Sequence, residues 1–224
     1  VAERHGSVFS CMPKPFAGAP GSGLHFHLSL TDAQGRAVFT NNADPLLLSA
    51  TGYQFVAGLL EHADALTALC APTVNSYKRL ACSESASGTT WAPVWKAYGD
   101  NNRTCVVRSV AGRLEWRLPD PSCNVYAAIA SALAAGLDGI ERELVACPPC
   151  AEDLYQRFSA GLPMPGRLPR DLGLALDALA ANEPLMDAVG RDFCKQFLSI
   201  KRQEWDHYSQ SVSAWEFERY ARLS

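Results

Sequence analysis

An α+β fold, an antiparallel sheet with separately packed helices, follows from three features of the sequence. Alternation occurs at 24–30 and 113–117 and strand-like segments at 94–99 and 104–110, while the apolar segments of helical period lie elsewhere, at 45–69 and beyond 124. Strands and helices therefore do not alternate as βαβ units would require. The chain has 224 residues, 48% hydrophobic and 19% charged, ample for a packed core. Its net charge of -3 gives no reason to expect nucleic acid as a partner, and no run of about 18 apolar residues suggests a membrane span.

Taken in order, residues 7–12 (SVFSCM) read as a strand leading into a glycine-rich turn, KPFAGAPGSG. The next strand, 24–30, places Leu24, Phe26, Leu28 and Leu30 on one face and His25, His27 and Ser29 on the other. Residues 31–42 are turn-rich, a hairpin or loop. Asp44-Pro45 reads as an N-cap with proline at N1, opening a helix that runs to about Leu69. Residues 71–93 carry NSYKRL and then a small-residue loop, SESASGTT, of the kind that often carries function. Strands follow at 94–99, 104–110 and 113–117; in the last, Arg113, Glu115 and Arg117 share a face. Beyond the Pro119-Asp120-Pro121 break, Asn124 to about Val145 is a buried Ala/Leu-rich helix. A Pro/Gly-rich connection covers 148–169. Helices are expected near 171–181, 184–198 and 200–210, with a last one opened by Ser213.

The eight cysteines suit reduced thiols in a cytoplasmic protein, because the chain is long and shows no secretory segment. Cys147-Pro-Pro-Cys150 has no second pair and reads as structural or surface thiols rather than a zinc site. The opening VAERHG is not a natural start, so an upstream segment is expected.

Three clusters carry chemistry. Lys14 precedes glycines 18, 21 and 23, and His25, His27 and Ser29 follow them; neutral imidazoles beside a glycine turn suit a divalent metal and a phosphate. An isolated HxH is otherwise an ordinary pair of strand histidines. Arg79, Arg103, Arg108, Arg113 and Arg117 form an arginine set suited to carboxylate or phosphate; the plain alternative is salt bridges on a sheet face. Glu115, between two of them, is an ion-pair partner or an oxygen ligand for Mg²⁺ or Mn²⁺. One Glu and one His cannot complete a six-coordinate site, so further carboxylates must come from elsewhere.

These residues resemble the glutamine synthetase superfamily, in the C-terminal part of its catalytic domain. MPKPFAGAPGSGLHFHLSL is similar to its nucleotide-binding signature, and NSYKRL, DNNRT followed by VVR, RLEWRLPDPSCN and AAGLDGIE recur in the family's order. LPRDLGLAL, KRQEW and a final WE-x-x-RY are similar as well, so the resemblance spans residues 1–224. It implies a partial catalytic domain lacking the N-terminal β-grasp domain, and inactive as this stretch alone. It implies His25 and Glu115 as ligands of one metal, Mg²⁺ or Mn²⁺, with His27 and Ser29 on ATP. Gly21, Arg79 and Arg117 would hold L-glutamate. Arg103, Arg108 and Arg113 would contact phosphates, with Arg103 and Arg79 catalytic. The implied reaction forms γ-glutamyl phosphate from glutamate and ATP, then an amide with ammonia or a small amine, in a homo-oligomer of stacked rings.

Departures concern the amine. The family's ammonia-using members carry Glu before Ala-Pro in a flap; here Trp91 precedes Ala92-Pro93 and the flap ACSESASGTTW is longer, with Glu84 not aligned to that role. Trp91 implies a different or larger amine, such as methylamine, ethanolamine or a polyamine. Pro20 stands where many members have Asn, and Val125 where Pro is usual. Tyr155 lies near a regulatory tyrosine of some bacterial members but reads as an ordinary loop tyrosine. Two other readings compete: an inactive ring protein of the same family, and an unrelated metal-dependent hydrolase built on the HxH.

Overall fold

The computed structural model describes residues 1–81 and 91–222. After a 3-10 turn at Ala2–His5, the elements are β1 (Phe26–Leu28), α1 (Ala50–Glu61), α2 (Ala63–Cys70), α3 (Ser76–Arg79), β2 (Trp95–Asp100), β3 (Cys105–Val110), β4 (Arg113–Trp116), α4 (Val125–Glu141), α5 (Leu154–Ser159), α6 (Leu172–Ala181), α7 (Glu183–Val189), α8 (Arg191–Gln210) and α9 (Ala214–Tyr220). The class is α+β. The four strands run in the order β1-β4-β3-β2. The sheet is mixed rather than wholly antiparallel: β1–β4 and β3–β4 are antiparallel, but β2 and β3 run parallel across a connection of only four residues. Parallel neighbours usually need a dozen or more residues between them. Here Asn102 fastens the return, its amide donating to the carbonyls of Cys150 and Glu152.

The register lays out the polar face. His27 pairs with Glu115, and Glu115 pairs with Arg108, so three strands set these side chains in one row. The opposite face carries Leu114 and Trp116, both fully buried, with Leu24, Phe26, Leu28 and Leu30 packed against the same core. The alternation from 24 to 30 is therefore present, although only 26–28 is laddered.

The helices bury one continuous core. α1 and α4 approach backbone to backbone: a Cβ on Gly58 would lie 2.1 Å from the Ala135 carbonyl, and one on Gly139 would lie 2.2 Å from that of Gln54. α4 opens at Asn124, whose side chain accepts from the amides of Tyr126 and Ala127. Ser213 makes a full capping box with Glu216, as its position suggested.

Several boundaries differ from expectation. Residues 7–12 form no strand and lie exposed. Asp44 does not cap α1; its carboxylate closes a turn onto the amides of Leu46 and Leu48 and accepts from the Tyr53 hydroxyl at 2.8 Å. Ser49 is the cap, accepting from the Gly52 amide. The expected single helix is divided at His62. The pair expected at 184–198 and 200–210 is instead broken at Gly190, whose φ of 112° suits glycine, leaving α8 continuous. The flap residues 82–90, including Glu84, lie outside the described residues.

Candidate functional site

Glu115 is the hub. Its side chain is 5% exposed and accepts three bonds: from His25 Nδ1 at 2.9 Å, Arg108 at 2.7 Å and Arg117 at 2.9 Å. Burial opposes its ionisation, but the Arg108 hydrogen bond and the Arg117 and His25 interactions hold its pKa below the usual carboxylate value. An ionised carboxylate can only accept, so Nδ1 of His25 carries the proton and Nε2 presents its lone pair. Burial, and secondarily the Arg117 charge, lower the His25 pKa to about 4 against the opposing pull of Glu115. The imidazole is thus neutral at pH 7, the form that binds metals. A carboxylate on one ring nitrogen is a common way to orient a ligating histidine.

Arg117 also donates to the Trp91 carbonyl at 3.3 Å, and its Nε is buried with no partner among the described residues. Arg79, 7% exposed, is tied down by the carbonyls of Leu118 at 2.7 Å and Arg117 at 3.0 Å. Burial lowers its pKa to about 10, which still leaves it charged. Arg108 is braced from behind by Asn101. Arg103 is exposed and sits over the Trp91 indole at 5.3 Å, a cation–π contact.

The glycine turn packs against this group. A Cβ on Gly23 would stand 2.8 Å from both an Arg79 nitrogen and His25 Nε2, and one on Gly21 would stand 2.7 Å from the Pro13 carbonyl. The turn is pinned by Asn75, which exchanges hydrogen bonds with the Lys14 backbone at 2.8 and 3.0 Å. Lys14 Nζ turns back onto the Ala19 carbonyl.

A cavity of about 190 Å³ opens between turn and sheet. Its charged lining is Lys14, Lys78, Arg79 and Arg117, with His25, Gly21 and Trp91 completing the wall. Four basic groups around a small space suit an anionic ligand. The volume falls below the roughly 300–1,000 Å³ of drug-sized pockets, so the described walls fit a compact polar molecule rather than a whole nucleotide.

The structure brings together His25, Glu115, Arg79, Arg108, Arg117, Gly21 and Trp91, with Arg103 joined through Trp91. Ser29 and Arg113 lie farther along the strands, and His27, opposite Glu115 in register, is engaged by Arg113, which donates to its Nδ1 at 3.2 Å; both of these side chains are exposed. Sequence reading missed Asn75, Asn101 and Lys78. The first and last lie inside the quoted NSYKRL and the second inside DNNRT, but nothing local marks them as braces or cavity lining.

As a metal centre the donor set fits in part. His25 and Glu115 are a neutral imidazole and an ionised carboxylate, apt for Mg²⁺ or Mn²⁺. Among the described residues no group of three His, Cys, Asp or Glu could enclose an ion. Both Glu115 oxygens also have arginine partners. Two donors of apt chemistry thus stand side by side, and an ion would need further donors to be enclosed. Tyr155 lies on α5, not in a loop, and its hydroxyl donates to the Ala92 carbonyl at 2.6 Å. None of the described helices is long and apolar enough to cross a membrane.

Comparison with known proteins places the chain in a family. The family described as glutamine synthetase, catalytic domain, matches residues 1–220. A glutamate–methylamine ligase of Methyloversatilis universalis is 46% identical over 98% of the chain and 50% of its own length. A glutamine synthetase of Halobacterium salinarum is 43% identical over 98% of the chain and 49% of its own length. A solved structure of a GmaS/ADP complex superposes with a TM-score of 0.90 at 43% identity, covering 98% of this chain and 50% of that one. The chain spans about half the length of the curated relatives it matches. With its motifs, fold and family match in agreement over nearly every residue, the chain belongs to the glutamine synthetase catalytic-domain family.

Proposed function

We propose that these residues form part of an ATP-dependent, ADP-forming ligase that joins L-glutamate to a small amine. The carrying observation is the small cavity ringed by Lys14, Lys78, Arg79 and Arg117 beside the His25–Glu115 pair. Arg79 and Arg117, with Gly21, hold the carboxylates of glutamate. The γ-carboxylate attacks the γ-phosphorus of ATP, ADP leaves, and an amine then displaces phosphate from γ-glutamyl phosphate. Arg103, Arg108 and Arg113 meet phosphate charge, which is the main task in phosphoryl transfer. His27 and Ser29 contact the nucleotide. A divalent cation, when bound at His25 and Glu115, neutralises phosphate charge. Turnover needs donors beyond the described residues, among which His25 and Glu115 are the two this reading uses. We place the protein in the cytoplasm as a homo-oligomer of stacked rings.

For the acceptor, methylamine or another alkylamine is favoured. Trp91 closes one side of the cavity and is tied to two arginines, by its carbonyl to Arg117 and by its ring to Arg103. An indole there replaces the Glu that ammonia-using members place in the flap. Ammonia is the second reading, favoured by the 43% identity to the Halobacterium enzyme.

The test follows phosphate release by the complete protein with ATP, Mg²⁺ or Mn²⁺ and glutamate, adding ammonia, methylamine, ethanolamine or putrescine separately. Preference for an alkylamine or diamine supports the Trp91 reading. Preference for ammonia makes the protein a glutamine synthetase. Nucleotide binding without turnover on any amine favours an inactive family member, and absence of nucleotide binding overturns the ligase reading.

A further inference from the structure

Arg108 is held from two sides. Its Nη1 donates to Glu115 at 2.7 Å across the pairing of β3 with β4. Its Nε donates to Oδ1 of Asn101 at 3.0 Å, and its Nη2 donates to the same oxygen. A guanidinium carries five N–H groups in one plane. Three are engaged, and of the other two one belongs to each Nη; among the described residues neither has a partner. Asn101 reaches Arg108 through an uncommon backbone. It follows the end of β2 with a φ of 46°, in the left-handed region that asparagine tolerates better than most residues. Its amide donates to the carbonyl of Ser109, the neighbour of Arg108, at 2.9 Å. Ser109 is itself fixed through Oγ to the Leu46 carbonyl at 3.1 Å. Turn and arginine are thus registered to each other by backbone as well as by side chain.

We propose that Asn101 is a positioning residue for phosphoryl transfer: it locks the plane of the Arg108 guanidinium, so that the two uncommitted N–H groups meet the phosphoryl group beside Glu115. This rests on the ligase reading, in which Arg108 meets phosphate charge. Glu115 holds one nitrogen of Arg108 and by itself leaves the guanidinium free to turn about that bond. The second hold, on Nε and Nη2, removes this freedom before substrate binds. Donors already in place need no reorganisation as charge develops, so they act most strongly on the transition state. Asn101 is neutral and fixes the arginine without cancelling its charge, as an aspartate there would.

The test uses the complete protein with Asn101→Gly, Arg108→Lys and the double variant. Glycine adopts the left-handed φ freely, so the turn survives and only the side-chain hold is lost. Lysine keeps the charge but has no planar fork for Asn101 to hold. In phosphate release with ATP, Mg²⁺, glutamate and the preferred amine, Asn101→Gly should lower kcat about 10-fold. That is less than the roughly 100- to 1,000-fold cost of deleting a donor outright, because the arginine remains. The KM for glutamate should stay within about twofold, since Arg79 and Arg117 are untouched. In the Arg108→Lys background the same change should cost less than about twofold. A merely structural role would lower activity equally in both backgrounds; that result overturns the proposal, as does an unchanged kcat in Asn101→Gly.

Thermal unfolding of the same set, without substrate, reads the contact itself. The Tm effect of Asn101→Gly should differ between the two backgrounds by about 1–2 °C, and the backbone effect of glycine cancels in that difference. Additive Tm shifts would mean that Asn101 does not hold Arg108, and overturn the proposal whatever the kinetics. Non-additive Tm shifts without ATP- and glutamate-dependent turnover by the unaltered protein would leave the contact standing; they would overturn the ligase reading and, with it, the phosphate role of the pair.

Discussion

Glu115→Gln keeps the shape of the hub and removes its charge. In the native protein the side chain is 5% exposed and meets two guanidiniums, those of Arg117 at 6% and Arg108 at 15% exposure, besides His25. Glutamine retains one accepting oxygen, but its amide nitrogen is a donor and must face a donor. Removing one partner of a buried ion pair costs about 3–5 kcal/mol, because the other charge stays buried. Arg108 has a second partner in Asn101 and some access to water, so the loss falls mainly on Arg117. We expect about 3 kcal/mol, or roughly 6–12 °C in Tm for a chain of this size. The assay is urea and thermal unfolding in chelator-treated buffer at pH 7, so that metal binding contributes nothing. The double variant Glu115→Gln/Arg117→Met should recover part of the loss by removing the stranded charge. A loss under about 1 kcal/mol, or a double variant less stable than the sum of the singles, would refute the view that Glu115 is chiefly holding buried arginines.

Three further outcomes are expected. Gly58→Ala puts a methyl 2.1 Å from the Ala135 carbonyl, so α1 and α4 must separate; overpacking of about 1–3 kcal/mol should exceed the gain of about 1 kcal/mol in helix propensity, and urea titration reads the net loss. Gly23→Ala presses on Arg79 and His25, both already tethered, so glutamate-dependent phosphate release by the complete protein should fall about 100-fold while Tm moves little. Asp138 accepts from the buried His62 at 2.8 Å and from Arg142; burial opposes its ionisation, but these partners win and its pKa lies below the ordinary value. The unfolded state therefore holds the proton more tightly. The Asp138 contribution is full above about pH 4 and disappears as pH falls through the lowered folded value. Stability against pH should have a shallower acid limb in Asp138→Asn, and an unchanged limb would contradict this.

The strands were legible in their bounds: β2, β3 and β4 fall within a residue of the expected limits, β4 through the alternation of Arg113 and Glu115 with Leu114 and Trp116, β2 and β3 through runs rich in β-branched and aromatic residues. Helix starts were legible where one capping residue stood alone, as at Asn124, Asp171 and Ser213. Two candidates close together, Asp44 and Ser49, could not be ranked, because a turn uses the same carboxylate chemistry as a cap. The segment 7–12 has strand composition, but a strand exists only where another backbone accepts its hydrogen bonds, and none described here does.

The residue kinds at the site could be read along the chain: the glycine turn, the two histidines, the arginines and Glu115, in an order that identifies the family. Their partners came from packing. Which arginine faces Glu115 depends on the register of β4 against β1 and β3. Which nitrogen of His25 is free depends on Glu115 standing at Nδ1. That Asn101, Asn75 and Lys78 belong to the site follows from contacts between segments up to about sixty residues apart. Local spacing carries no information on such pairs, because packing alone brings them together.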